Sequence, residues 1–255
     1  MRPAACRGRA INLVKGLAGL GLGLLVGAAP AAAVGPCRPL AYGGADYTVC
    51  TVDLRTHALK LFWRGEDGAA FGSFDRLMRS PAGRDLVFAM NAGMYKDDRS
   101  PAGLYVEDGQ QLRAANTKAG YGNFHLKPNG VFYVAGKTAG VLETGRYLAQ
   151  KPRAAFATQS GPMLVIDGRI HPKFSDNGPS LKIRNGVGVA NAQTVVFAIS
   201  ERPVSFGEFA RLFRDELRCR NALFLDGSVS SLYAPGLHRM DWLMPLGPIV
   251  GAVPR

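Results

Sequence analysis

The sequence predicts an α+β fold with mixed α/β character: a mixed β-sheet core with many hairpins, a few packed helices and an internal pseudo-repeat. Three observations carry this prediction. Short apolar runs recur between Gly-containing turns, one amphipathic helix has a well-marked start, and a helix–strand segment echoes itself further along the chain.

The hairpins are the clearest. Leu104-Tyr105-Val106 and Gln110-Gln111-Leu112 flank Asp108-Gly109, and Met163-Leu164-Val165-Ile166 and Arg169-Ile170 flank Asp167-Gly168. Asp-Gly between such runs favours a tight turn because both positions tolerate positive φ. Val131-Phe132-Tyr133-Val134 and Val195-Val196-Phe197-Ala198-Ile199 are apolar without alternation, as strands covered on both faces are.

The helix begins at a capping box, Ser205 with Glu208 three residues on. Phe206, Phe209, Leu212, Phe213 and Leu217 then form one apolar face, which places its end near Arg218. Ala222-Leu223-Phe224-Leu225 follows as a buried strand leading into Asp226-Gly227-Ser228. Phe71–Asn91 aligns on Phe206–Asp226 without gaps, with six of 21 positions identical, so Asn91 falls on Asp226. Both copies read strand, helix, strand, then a polar residue at the strand's C-terminal end, where open α/β sheets bind ligands.

Residues 1–33 read as a secretory signal. Arg2, Arg7, Arg9 and Lys15 precede a run from Gly16 to Ala29 made of Gly, Leu, Ala and Val, and Ala31-Ala32-Ala33 offers a cleavage site. That run is about 14 residues, where a bilayer span needs about 20, so no stable membrane span is expected after cleavage. Residues 34–255 are expected to form a single domain, periplasmic or secreted. Without the leader's four cations the net charge falls from +12 to +8. The Lys and Arg are scattered singly, which argues against a nucleic-acid partner and suits an anionic substrate or envelope polymer. Cys37 and Cys50 flank a Gly-rich stretch and can be joined by a disulfide in an oxidising compartment. Cys219 then remains as a buried thiol. The four histidines are isolated, so no metal site and no cofactor are expected.

Several signatures are missing: no G-x-S-x-G, H-E-x-x-H, Walker or G-x-G-x-x-G sequence occurs. What remains is a set of polar residues in Gly-rich turns beside apolar strands. They are Asn91-Ala92-Gly93-Met94-Tyr95, Lys127-Pro128-Asn129-Gly130, Gln159-Ser160-Gly161-Pro162, Arg184-Asn185-Gly186-Val187-Gly188 and Asp226-Gly227-Ser228. One such segment alone is an ordinary turn; five in order are a pattern. Together they resemble the bacterial branch of the phosphodiester glycosidase family, over about residues 45–235. This chain has Asn91-Ala92-Gly93 where many relatives have Asn-Gly-Gly, and Asp226-Gly227-Ser228 where many have Asp-Gly-Gly.

The resemblance implies hydrolysis of a sugar-1-phosphodiester, or of an anionic polysaccharide that contains one. Its leaving group is a stable phosphate monoester, so protonation matters less than in ordinary glycoside hydrolysis. On that basis the expected catalytic residues are Asp226 as the carboxylate at the anomeric centre, with Glu107 as runner-up, Arg184 as a forked phosphate donor and Lys127 as a point charge. Asn91, Asn129, Gln159, Asn185 and Ser228 are the expected sugar or orienting contacts. Two other readings compete. One is a non-catalytic polysaccharide-binding module on the same scaffold. The other is a hydrolase with Ser228 or Ser160 as nucleophile, though no His lies near either in sequence.

Overall fold

The structure, a computed structural model, describes residues 35–175, 178–242 and 244–255, all within one compact unit. The leader expected over 1–33 lies outside the described residues. Among the described residues no helix is long and apolar enough to cross a membrane.

In chain order the elements are β1 (Cys37–Tyr42), β2 (Ala45–Asp53), β3 (His57–Phe62), α1 (Phe74–Met78), β4 (Phe88–Asn91), β5 (Tyr105–Glu107) and β6 (Gln110–Arg113). Next come β7 (Gly130–Ala135), β8 (Thr138–Glu143), α2 (Thr144–Gln150), β9 (Phe156–Ser160), β10 (Met163–Ile166) and β11 (Arg169–Ile170). The remainder is β12 (Asn185–Asn191), β13 (Thr194–Ser200), α3 (Phe206–Arg211), β14 (Asn221–Phe224), β15 (Leu232–Ala234), β16 (Arg239–Met240) and β17 (Ile249–Pro254).

They form three sheets, ordered β1-β2-β13-β12-β14-β10-β11, β16-β15-β4-β17-β3 and β6-β5-β9-β7-β8. This is the α+β architecture expected from the sequence. Both Asp-Gly hairpins form, with φ of 48° and 77° at Asp108 and Gly109, and 49° and 83° at Asp167 and Gly168. A third hairpin turns on Gly43-Gly44 and sets Cys37 opposite Cys50, where the disulfide forms. Cys219 is free and buried, and burial pushes its thiol up to about 12.

The pseudo-repeat is visible in the topology. β3 and β4 both pair antiparallel with β17, and β13 and β14 both pair antiparallel with β12. The two strands of each unit therefore run parallel, with one antiparallel strand between them and α1 or α3 in the crossover. Both halves of the Ser205–Glu208 capping box form. The helix then loosens into a π-helical stretch, Leu212–Glu216, in which the Leu217 amide reaches back to the Leu212 carbonyl (2.9 Å). Arg218 ends it in the left-handed region at φ 53°.

β13 explains why its sequence does not alternate. Val195, Phe197 and Ile199 enter the core between the sheets, whereas Val196 and Ala198 enter a second core beneath Phe209 and Phe213 of the α3 segment. Phe197 is the meeting point of all three sheets. Its ring lies 5.0 Å from Phe88 of β4 and 5.8 Å from Phe132 of β7. Replacing Phe197 by Ala therefore leaves a cavity shared by three sheets, and we expect denaturant unfolding to report a loss of about 3–5 kcal/mol.

Candidate active site

Antiparallel pairing decides which strand ends meet. Gly186 faces Phe224, so β12 starts beside the end of β14, and the Leu225 amide donates to the Asn185 carbonyl (3.1 Å). The Asn185 side chain reaches into the second sheet, where Nδ2 donates to the Asn91 carbonyl (3.1 Å) and to Asn91 Oδ1 (2.9 Å). Asn91 Oδ1 also accepts from the Ser231 amide (2.9 Å), and Asn91 Nδ2 donates to the Asp226 carbonyl (2.9 Å). Both asparagines are buried. An amide side chain is the right group here, because it both accepts and donates without carrying a charge into the interior.

That clamp holds the Asp226 backbone and leaves its carboxylate available. Oδ1 accepts the Ser228 amide (3.2 Å) at the start of a 3-10 turn, Gly227–Val229. Burial pushes the carboxyl up to about 6, with the Ser228 hydrogen bond pulling weakly the other way. Burial, and secondarily the Asp226 charge, also raises the Tyr95 hydroxyl, which donates to the Pro245 carbonyl (2.6 Å). Gly227 is required for space, since a Cβ there would stand 2.7 Å from the Phe224 ring and 3.0 Å from the Ile183 carbonyl oxygen. Beside the turn opens a cavity of about 370 Å³, bordered by Ser228, Ser230, Glu201, Arg239 and Trp242. The Trp242 side chain stands at its rim, 79% exposed.

Asn129 and Gln159 form a second cluster in the third sheet. Gln159 Oε1 accepts from the Leu104 and Asn116 amides (both 2.9 Å), and Nε2 donates to the Asn116 carbonyl (2.9 Å) and Thr144 Oγ1 (3.3 Å). Thr144 Oγ1 donates to Asn129 Oδ1 (2.8 Å), while Asn129 Nδ2 donates to the Phe124 carbonyl (2.9 Å). Both amides are buried and committed to the Leu104, Asn116, Phe124 and Thr144 segments, which they hold together. Ser160 ties this cluster to the first through its hydroxyl, which donates to the Leu225 carbonyl (3.0 Å).

The two cations sit differently from expectation. Arg184 is buried: Nε donates to the Val204 carbonyl (2.8 Å) and Nη2 to the Ser180 carbonyl (2.6 Å). Its Cζ lies 3.6 Å above the Phe206 ring, which stacks on Phe174, and that ring on His171. Burial lowers its pKa to about 10. The fork expected to meet a phosphate instead pins the 180–184 segment to α3. Lys127 is exposed, and its Nζ donates to the Thr117 carbonyl (2.7 Å). Glu107, the runner-up carboxylate, lies apart on β5, raised by burial and accepting from the Tyr105 hydroxyl (2.5 Å). Among the described residues no three His, Cys, Asp or Glu side chains are grouped to hold a metal.

The sequence reading did not select Thr144, Asn116 or Ser231, and weighed Ser160 only as a competing nucleophile. Ser160 and Ser231 stand within or just after the singled-out turns. Thr144 and Asn116 have no Gly beside them, and only the packing of the third sheet reveals their role.

The family model described as phosphodiester glycosidase matches residues 84–241, which span the Asn91–Asp226 clamp. The chain is 39% identical over 187 residues, 73% of each chain, to the uncharacterized protein YigE of Escherichia coli (strain K12). Its fold is similar to the catalytic domain of zebrafish N-acetylglucosamine-1-phosphodiester alpha-N-acetylglucosaminidase, auto-inhibited by its pro-peptide, with TM-score 0.59 and 14% identity over 86% of this chain and 82% of that one. A hypothetical protein from Synechocystis gives TM-score 0.56 and 15% identity, over 86% of this chain and 61% of that one.

Two outcomes follow for the clamp and its carboxylate. The folded-state pKa of Asp226 lies above its unfolded value of 3.8, so its contribution to stability is fully present below about pH 4 and is lost as pH rises through about 6. Asp226→Asn keeps the shape and removes the charge. Urea unfolding should show the variant more stable than the parent by about 2 kcal/mol at pH 7–8, with the gain vanishing near pH 4. Asn91→Ala should do the reverse, losing about 2–4 kcal/mol at any pH, because the Ser231 amide loses its acceptor, the Asp226 carbonyl loses its donor and the Asn185 side chain keeps only the Asn91 carbonyl.

Proposed function

Because the chain belongs to the phosphodiester glycosidase family, we propose that it is an exported hydrolase that cleaves the glycosidic bond of a sugar-1-phosphodiester in an envelope or extracellular polysaccharide. The observation that carries this reading is the Asp226 carboxyl, raised to about 6 by burial at the start of the turn whose Gly227 and Ser228 border a cavity of about 370 Å³. At neutral pH such a group is ionised yet poorly solvated, which suits attack at an electron-deficient anomeric carbon. The bond between C1 and the phosphate oxygen breaks, the phosphate monoester leaves with the bonding pair, and water supplies the hydroxyl to C1. Asp226 serves either by forming a glycosyl ester that water opens or by taking the proton of the attacking water.

The surroundings of Asp226 fit this chemistry. The carboxylates that border the cavity, Glu201 and Asp241, are both ion-paired with Arg239 and so are poor proton donors. An ordinary glycosidase needs a second carboxyl group to protonate its leaving group, whereas a phosphate monoester leaves without it. Trp242 offers an aromatic face at the cavity rim for the apolar side of a pyranose. The Cys37–Cys50 disulfide supports an oxidising compartment.

The test is a panel of sugar-1-phosphodiesters incubated with the purified protein, with free sugar as the readout. Hydrolysis is expected for at least one sugar, with kcat/KM falling as pH drops below about 6 and Asp226 takes up its proton. Asp226→Asn should lower kcat by about a thousandfold or more with KM little changed. A variant that hydrolyses as fast as the parent removes Asp226 from the reaction.

A further inference from the structure

A phosphodiester is an anion, and the cations first expected to meet it are engaged elsewhere: Arg184 with backbone carbonyls and the Phe206 ring, Lys127 with the Thr117 carbonyl. Three other cations converge on one cavity. Lys96, Arg113 and Lys118 line a space of about 360 Å³. Among the described residues none of the three is in an ion pair. Asp98, two residues from Lys96, accepts the Ser100 amide (2.9 Å) and is drawn only weakly by Arg113 and Lys96.

The cavity has a rigid wall. Gln159 fixes both the amide and the carbonyl of Asn116, and Asn116 Nδ2 donates to the Ala102 carbonyl (3.2 Å). Gly103 leaves no room for a Cβ against Gln159 Oε1. The Gln159 cluster thus holds a cationic rim in place, a task that the cleft around Asp226 does not require. Arg113 also borders a second cavity, of about 290 Å³, shared with Glu107, where Arg64 Cζ stands 3.9 Å and Arg113 Cζ 5.6 Å from the Trp63 ring. Toward the other side, Lys96 directly follows Tyr95, whose hydroxyl feels the Asp226 charge.

We propose that Lys96, Arg113 and Lys118 form an anion subsite for phosphoryl groups, so that substrate is presented to Asp226 as a stretch of polymer bearing more than one phosphate. The link to Asp226 rests on the proposed hydrolysis; the subsite itself does not. Cations without an ion-pair partner around a braced cavity attract multivalent anions more than single ones, and salt weakens the attraction.

Titration calorimetry of the purified protein with inorganic tripolyphosphate and with orthophosphate tests this. Tripolyphosphate should bind, at least tenfold more tightly than orthophosphate and less tightly as salt is raised. Arg113→Ala combined with Lys118→Ala should weaken that binding at least tenfold with the thermal unfolding curve unchanged, whereas Lys137→Ala, in the turn between β7 and β8, should leave it as it was. No binding to the parent protein, or equal binding to the double variant, overturns the subsite. Phosphate binding without hydrolysis of any sugar-1-phosphodiester overturns the proposed function and leaves the subsite standing, and hydrolysis without such binding does the opposite.

Discussion

The amide pair Asn91–Asn185 is the constraint on which the site depends. It joins the end of β4 in one sheet to the start of β12 in another, and each side chain satisfies backbone groups that no strand pairing reaches. A buried amide or carbonyl without a partner costs about 1–3 kcal/mol, so a clamp with four such contacts fixes its geometry strongly. Asp226 is caught by its carbonyl rather than by its carboxylate. The backbone is therefore rigid where the acid is chemically free, and the acid is held in a poorly solvated position without a counter-charge to neutralise it.

Arg184 shows how a residue can be right in the pattern and different in role. An arginine beside Asn185 in a Gly-rich strand reads as a phosphate fork. In the fold, its guanidinium closes a stack of planar groups running from His171 through Phe174 and Phe206. With two donors on carbonyls and a lowered pKa, it behaves as a structural pin beneath the Asp226 turn, since Gly227 lies against the same Phe224 ring that Arg184 approaches. Lys96, Arg113 and Lys118 stand instead around a cavity of their own.

Local chemistry in the sequence was legible where it needed no partner. The Asp-Gly turns, the Ser205–Glu208 box, the Cys37–Cys50 staple and the apolar run of β13 are each set by neighbours along the chain. The pairing of Asn91 with Asp226 was also foreshadowed, because the pseudo-repeat places both at equivalent strand ends and the fold brings those ends together. What the sequence hid depends on non-local packing. Nothing near Thr144 or Asn116 marks them as partners of Gln159, and nothing near Lys127 indicates that its ammonium donates to the Thr117 carbonyl. The burial of Arg184 was hidden for the same reason, since it is created by the Phe206 ring of α3, the Val204 and Ser180 carbonyls and the Phe224 ring.

The choice between a hydrolase and a binding module turns on what the Asp226 position costs. A carboxylate with its pKa raised to about 6 is unfavourable to the folded state at neutral pH, and an asparagine of the same shape would lift that penalty. A surface that only recognises an anionic polymer would gain twice from the amide: a more stable fold, and no negative charge facing a negative ligand. Hydrolysis at an anomeric carbon needs the charge itself, close to the bond and shielded from water. The same reasoning accounts for the distribution of the cations. If the anionic part of the substrate is held at Lys96, Arg113 and Lys118, the carboxylate can stand at the sugar end of the bond without repelling the phosphate it must release.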